Sequence, residues 1–449
     1  MTETSISNSN SHEKSTKVIP YQILWPFILV TSLFALWGFA NDITNPMVAA
    51  FKGILLISHF QSSLVQFSFY GGYCVMAIPA ALFIRRFSYK AGILVGLLLY
   101  SVGALLFIPS GMMMAFWAFL LSYFILTCGL SFLETSSNPY VLSMGPEKTA
   151  TRRLNFAQSF NPMGSLTGMF VAQKLILAKL DGTSEEGRRA LLETAPEQLR
   201  AIRAHDLTVL RGPYVAIGLI VLAVFVIFLL SKMPKGRGEE GTHLNLGPTL
   251  KRLLANKKYI GGVVAQAFYV GTQIMCWTFI IQYATSELGM SAERAQGYNI
   301  IAMAIFCSSR FICTYLLKYF SPGGLLASLA VGGGLLIIGT IFIHGMTGLY
   351  CLIAVSACMS LMFPTIYGIA LKGLGDDAKL GAAGLIMAIG GGSIMPPLQA
   401  SIMDMDAFNL GFMTLSSTRA SFVLPLICFV VITYYGVFAS RKDLSAVSK

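Results

Sequence analysis

Charge is what this sequence has least of. Only 12% of its 449 residues are Asp, Glu, Lys or Arg, and 20 are acidic, whereas a soluble domain carries about a quarter charged residues. A chain of this length would ordinarily fold as about two or three soluble domains, which so little charge excludes. Histidine is scarcer still, with five scattered copies and none next to a candidate acid. There is no Ser-His-Asp arrangement, no metal-ligand spacing and no glycine loop followed by Lys-Ser/Thr. An enzyme, a metal centre and an ATP-driven machine are therefore not expected, and no cofactor is. The eight cysteines lie inside apolar runs with no Cys-x-x-Cys pair, and read as small buried hydrophobes.

What the chain has instead is apolar residues, 55% of the total, gathered into long runs. A helix needs about 20 mostly apolar residues to cross a bilayer. Twelve such helices are predicted, at 22–46, 62–84, 89–110, 113–143, 153–178 and 213–232, then at 260–286, 295–319, 323–344, 347–373, 380–403 and 418–440. The expected fold is an all-α membrane protein of two six-helix halves in contact with the lipid bilayer. The expected organisation is a polar tail over 1–20, a first half over 21–232, a basic linker over 233–258, a second half over 259–440 and a tail over 441–449. The stretch Thr249 to Tyr259 is expected to form a short amphipathic helix on the membrane surface. The first apolar run is too long for a signal-peptide core.

The formal charge of +12 suggests a nucleic-acid binder until the basic residues are placed. Arg85, Arg86 and Lys90, then Lys148, Arg152 and Arg153, then the linker lysines and arginines, all fall in connections of one parity. That is the positive-inside pattern, so no nucleic-acid partner is expected and both termini are read as cytoplasmic, in a bacterial inner membrane. Two halves also suggest structural repeats. Arg85-Arg86-Phe87-Ser88-Tyr89 and Lys318-Tyr319-Phe320-Ser321-Pro322 are short basic turns at equivalent places in the two halves.

Ionisable groups inside a membrane are expensive and mark function. Within the predicted helices the deep acids are Asp42 and Glu134 and the deep base is Arg310. Glu134 has Asn138 one turn on, with Pro139 loosening the helix. Desolvation disfavours a charged carboxylate, so an acid in an apolar cavity can load and release a proton. Asp42 sits between Asn41 and Asn45, which share one face. The alternatives are a structural ion pair for Glu134 and a helix cap for Asp42. In the fifth predicted helix Asn155, Gln158 and Asn161 form a stripe of amides suited to a hydroxyl-rich ligand, or to bonds between helices. In the seventh, Tyr269, Gln273 and Trp277 recur every four residues. Their aromatic faces could stack on a sugar ring while the amide bonds its hydroxyls. Phe363 and Tyr367 flank Pro364 in the tenth, as lining or as packing. A buried Arg310 needs an acceptor, for which Asp42, Glu134 and substrate oxygens are the candidates. The run Gly390-Gly391-Gly392 reads as close helix packing or a hinge.

These segments resemble the fucose–proton symporter family of the major facilitator superfamily over nearly the whole chain. The likeness is densest in Leu36-Trp37-Gly38-Phe39-Ala40-Asn41-Asp42, in Leu133-Glu134-Thr135 through Asn138-Pro139, and in Arg153-Leu154-Asn155-Phe156-Ala157-Gln158 through Asn161. The resemblance implies a sugar in a central cavity, alternating access and proton symport. The family's helix-four glutamate falls on Glu134, its helix-eight arginine on Arg310 and its helix-five amides on Gln158 and Asn161. Two positions depart. The family's helix-one acid falls on Asn45, whereas here the acid is Asp42, one turn earlier, and the helix-ten tyrosine falls on Phe363. The function read from this is import of a monosaccharide, L-fucose by default, by a monomer coupled to protons. The competing readings are a sodium-coupled transporter of another sugar, glucose or galactose in type, an exporter, and a membrane sugar sensor.

Overall fold

The computed structural model describes residues 21–145, 153, 156–234, 246–317, 319–374, 377–409 and 414–447. The predicted tail over 1–20 and Asn155, together with Lys148, Arg152, Lys235, Arg237 and Lys318, lie outside the described residues.

The first half contains α1 (Leu24–Thr44), α2 (Met47–Leu55), α3 (His59–Arg86), α4 (Tyr89–Leu105), α5 (Phe107–Met113), α6 (Phe116–Ser143), α7 (Phe160–Val171), α8 (Glu185–Thr194) and α9 (Pro196–Leu230). A surface helix, α10 (Leu246–Ala255), precedes the second half. That half contains α11 (Lys257–Leu288), α12 (Ala292–Leu316), α13 (Pro322–Phe342), α14 (Met346–Met359), α15 (Met362–Leu371), α16 (Ala378–Met387), α17 (Gly391–Met403), α18 (Ser417–Ala420) and α19 (Val423–Val447). Ten stretches among the described residues are long and apolar enough to cross a membrane. The remaining two predicted spans correspond to α7, which passes into a π-turn at Ala172–Ile176, and to α12, which carries Glu293, Arg294 and Arg310.

Several spans are two helices end to end, and proline explains where they break. Proline has no N–H, so it strands the carbonyl four residues before it. Pro46 strands the carbonyl of Asp42, and α1 gives way to α2 at Asn45–Pro46. Pro364 likewise strands the carbonyl of Ser360, between α14 and α15. Both breaks fall beside the central cavity. The repeated basic turns hold a repeated cap. Ser88 accepts from the Ala91 N–H at 3.0 Å and Ser321 from the Gly324 N–H at 3.2 Å, so each half starts its third crossing on a serine N-cap.

Glycine permits the closest crossings. A side chain on Gly164 of α7 would collide with the backbone carbonyl of Ala35 on α1. One on Gly391 would collide with the carbonyl of Ala267 on α11. The triple-glycine run of the eleventh crossing is thus helix packing.

The largest difference from the sequence reading is at 196–212, taken as loop but built as the first turns of the 35-residue α9. These turns are anchored by Arg188 and Asp206, an ion pair at 2.7 Å with side chains 5% and 0% exposed. Asp206 also accepts from the Asp181 N–H at 2.8 Å. Removing one member of a buried pair strands the other and costs about 3–5 kcal/mol. Asp206→Ala is therefore expected to lower the melting temperature of the detergent-solubilised protein by several degrees. An unchanged melting temperature would contradict that anchoring role.

The amphipathic helix expected at 249–259 occurs as α10, displaced a few residues toward the N-terminus and ended by Asn256, which caps α11. Its Leu253 packs with Tyr259, Ala370 and Leu385. Its Arg252 grips Asp377 through two bonds of 2.8 and 2.7 Å, and these hold the Asp377 carboxyl below its usual pKa. We call this end of the bundle the linker end and the other the distal end.

Candidate functional site

Between the halves lies a cavity of about 210 Å³, smaller than the roughly 300–1,000 Å³ of drug-sized pockets and fitting a compact polar ligand. Nine of the thirteen described residues singled out from sequence line it. The first half supplies Asn41, Asp42, Glu134 and Asn161, and the second supplies Tyr269, Gln273, Trp277, Arg310 and Phe363. Acids come from one half and the base from the other, so a ligand in the middle meets both signs of charge.

The first-half wall is built on α1, α6 and α7. Close packing at Gly164 brings α7 against α1, and Asn161 donates to the Phe34 carbonyl at 3.3 Å. Asp42 is 5% exposed and accepts from Asn45 at 3.2 Å. The acid and amide exchanged relative to the resembling family are thus in direct contact. Asp42 faces the cavity and Asn45, 1% exposed, stands behind it. The Oδ1 atom of Asn41 is buried with no hydrogen bond among the described residues.

Asn138 and Gln158 do not line the cavity. Asn138 donates back to the Glu134 carbonyl at 3.0 Å and accepts from Gln158 at 3.1 Å. Gln158 is exposed at the linker end. The two amides form a short chain leading from Glu134 toward that end.

On the opposite wall the two outer members of the α11 stripe contribute ring faces, because their polar atoms are engaged elsewhere. Tyr269 donates to the Met359 carbonyl at 3.1 Å and Trp277 to Ser356 at 3.1 Å. Gln273, between them, makes no hydrogen bond among the described residues, which leaves its carboxamide for a ligand. Phe363 stands edge-on to Tyr269 with centroids 6.2 Å apart. Tyr367 stacks behind Phe363 at 6.3 Å and does not reach the cavity.

Arg310 departs from expectation. It was read as buried and is exposed, opening onto the cavity. Its Nε donates to the Ser360 carbonyl at 3.3 Å, the acceptor that Pro364 strands, and its guanidinium lies 4.9 Å from the Phe306 ring centroid. The proline in the tenth crossing thus creates the acceptor that orients the arginine of the eighth.

The sequence reading missed Trp37, Tyr70, Tyr73, Ser165, Phe306 and Cys307, which also line the cavity. Tyr70 and Tyr73 are one turn apart on α3, and Phe306, Cys307 and Arg310 share one face of α12. Helical spacing to a singled-out residue was the available signal for Trp37, Ser165, Phe306 and Cys307, whereas α3 carried no such residue. Tyr73 Oη is buried on the wall that carries Glu134.

Two pseudo-repeated halves around a polar cavity, with ionisable groups at membrane depth, define a membrane transporter of the major facilitator superfamily. The chain belongs to that family, whose model matches residues 29–397. It is 56% identical to the L-fucose-proton symporter of Haemophilus influenzae (strain ATCC 51907 / DSM 11121 / KW20 / Rd) over 94% of this chain and 98% of that one. It is 35% identical to the L-fucose-proton symporter of Escherichia coli (strain K12) over 93% of each. The crystal structure of the major facilitator superfamily transporter FucP in the outward conformation superposes with a TM-score of 0.70 at 35% identity, over 93% of this chain and 99% of that one.

Proposed function

We propose that this transporter imports L-fucose together with protons across the bacterial inner membrane, as a monomer. The observation that carries the reading is the cavity itself. It sets Asp42 and Glu134 opposite Arg310, Gln273 and aromatic faces, in a chain 56% identical to an L-fucose-proton symporter. A monosaccharide has a ring of hydroxyls and an apolar face, and this wall offers a partner for each.

The parity of the basic residues supports a cytoplasmic linker end and cytoplasmic termini. The two halves, 21–232 and 259–440, rock about the cavity with the 233–258 segment as their connection. Sugar and proton enter from the distal side. Protonated Glu134 lowers the cost of closing the cavity over a desolvated ligand, since a neutral carboxyl loses less on leaving water. Arg310, Gln273, Asn41 and Asn161 hold hydroxyls, and Trp277 and Phe363 present apolar faces. On opening toward the cytoplasm the sugar leaves and Glu134 gives up its proton, with Asn138 and Gln158 flanking the exit. Asp42, supported by Asn45, is the second titrating group.

The test is counterflow of labelled L-fucose in proteoliposomes challenged with unlabelled sugars. L-Fucose is expected to compete and glucose and galactose to be inert. Competition by another sugar with fucose inert would transfer the assignment to that sugar, and no counterflow with any sugar would end the reading.

A further inference from the structure

A buried chain of hydrogen bonds leaves the cavity behind Asp42 and crosses from one half to the other. Asn45 Nδ2 donates to Asp42 Oδ1 at 3.2 Å. Gln66 Nε2 donates to Asn45 Oδ1 at 3.0 Å and also to Thr278 Oγ1 at 3.0 Å. Gln66 is on α3 and Thr278 on α11, so the last bond joins the halves. Asp42, Asn45, Gln66 and Thr278 are 5%, 1%, 0% and 0% exposed, so the three behind Asp42 have no bulk water to fall back on. The Oε1 of Gln66 is buried with no partner.

The polarity of this chain follows from Asp42. A carboxylate only accepts hydrogen bonds, so Asn45 must turn its amino group to Asp42 and its carbonyl to Gln66. Gln66 then commits both N–H groups, one to Asn45 and one to Thr278, and its oxygen is left over. A neutral Asp42 carries an O–H and can donate. Where Asp42 directs that O–H at Asn45, the Asn45 carbonyl turns to Asp42, its amino group meets Gln66, and Gln66 presents its oxygen instead. Thr278 fits either arrangement, because a hydroxyl both donates and accepts. In the reversed arrangement the amino group of Gln66 loses both acceptors, and an unsatisfied buried donor is costly. The tie between the halves therefore changes with the proton state of Asp42.

We propose, on the basis of the symport reading above, that Gln66 is a positioning residue that relays the proton state of Asp42 to Thr278 and so to closure of the distal side. The proton stays on Asp42, and only the amides turn. Other bonds between the halves lie on the same side of the cavity. The Asp404 carboxylate accepts from the His59 and Phe60 N–H groups at 2.8 and 2.7 Å, and Lys174 pairs with Glu293 at 2.8 Å. Gln66 differs from these in being wired to a cavity acid. The titratable groups that share the cavity with Asp42 are Tyr70 and Tyr73 of α3, Glu134 of α6, Tyr269 of α11, and Cys307 and Arg310 of α12. The neighbouring α2 adds Lys52, which is held by Glu185 at 2.7 Å.

The experiment compares wild type, Gln66→Leu, Thr278→Val and Thr278→Ser in proteoliposomes. Labelled L-fucose is followed both in counterflow and in accumulation driven by a pH gradient. Gln66→Leu and Thr278→Val are expected to keep counterflow and to lose most of the roughly tenfold accumulation that one pH unit can drive for one proton per sugar. Thr278→Ser, which keeps the hydroxyl, is expected to accumulate like wild type. Thr278→Val replaces its residue with one of nearly the same shape, so it carries the test if Gln66→Leu does not fold. Wild-type accumulation in both variants would overturn the relay, and so would parallel loss of counterflow and accumulation, the mark of a brace. Wild-type protein that fails to couple fucose to protons would overturn the parent reading before any variant is compared.

Discussion

Proteoliposomes carrying Glu134→Gln are expected to exchange labelled L-fucose across the membrane and to concentrate none of it. Glu134 lines the cavity on α6 beside the buried Tyr73 hydroxyl, and glutamine copies the shape of its neutral form. Exchange needs only that loaded form, which moves to and fro with the sugar bound. Accumulation also needs the proton to leave on the cytoplasmic side, and an amide has none to give. With one proton per sugar, a pH difference of one unit supports about tenfold accumulation, because it is worth about 1.4 kcal/mol. The variant should therefore fall from about tenfold to no gradient at all. Retained uphill uptake in Glu134→Gln would remove Glu134 from the coupling mechanism. Loss of exchange as well would assign it to sugar binding.

The second large effect is expected at Arg310. Its side chain is positioned by the Ser360 carbonyl and the Phe306 ring and opens onto the cavity. Hydrogen bonds to charged groups contribute about 1.5–3 kcal/mol, so Arg310→Ala should weaken L-fucose binding by about 10- to 150-fold. Arg310→Lys should remain impaired despite its charge, because an ammonium lacks the planar fork that holds Ser360 and a ligand oxygen together. Binding of labelled L-fucose to purified protein measures both variants directly. Wild-type affinity in Arg310→Lys would mean that charge alone matters, and wild-type affinity in both would exclude Arg310 from the site.

The exchange of acid and amide between Asp42 and Asn45 has a related consequence. The two side chains touch, so the acid moves one turn along α1 while the pair stays together. Moving it places the carboxyl on the cavity and the amide on the path to Gln66. Phe363 brings no hydroxyl to a wall where Tyr269 directs its own to the Met359 carbonyl. Among the described residues that wall offers aromatic faces and the unbonded amide of Gln273.

Much of this protein was legible in its sequence. Apolar run length determines which segments can cross a bilayer, and charge parity argues their orientation, because both depend on local composition and the cost of moving charge through lipid. The same cost made Asp42, Glu134 and Arg310 stand out, and all three line the cavity. Helical spacing brought in Asn41, Asn161 and the Tyr269–Gln273–Trp277 stripe. Sequence could not say which polar atoms remain free. Tyr269 and Trp277 bond to α14, Asn138 and Gln158 bond to each other, and Gln273 bonds to nothing among the described residues, and spacing along one helix does not encode partners on another. It also stopped the sixth crossing at 213, since the turns before it are polar, and only the buried Arg188–Asp206 pair and the packing around it account for a helix there. Only the tertiary structure brought Gln66 of one half to Thr278 of the other and stranded the Ser360 carbonyl where Arg310 could reach it. Composition and periodicity act within one segment, whereas the bonds that make a transport site join segments far apart in the chain and exist only once the two halves have met.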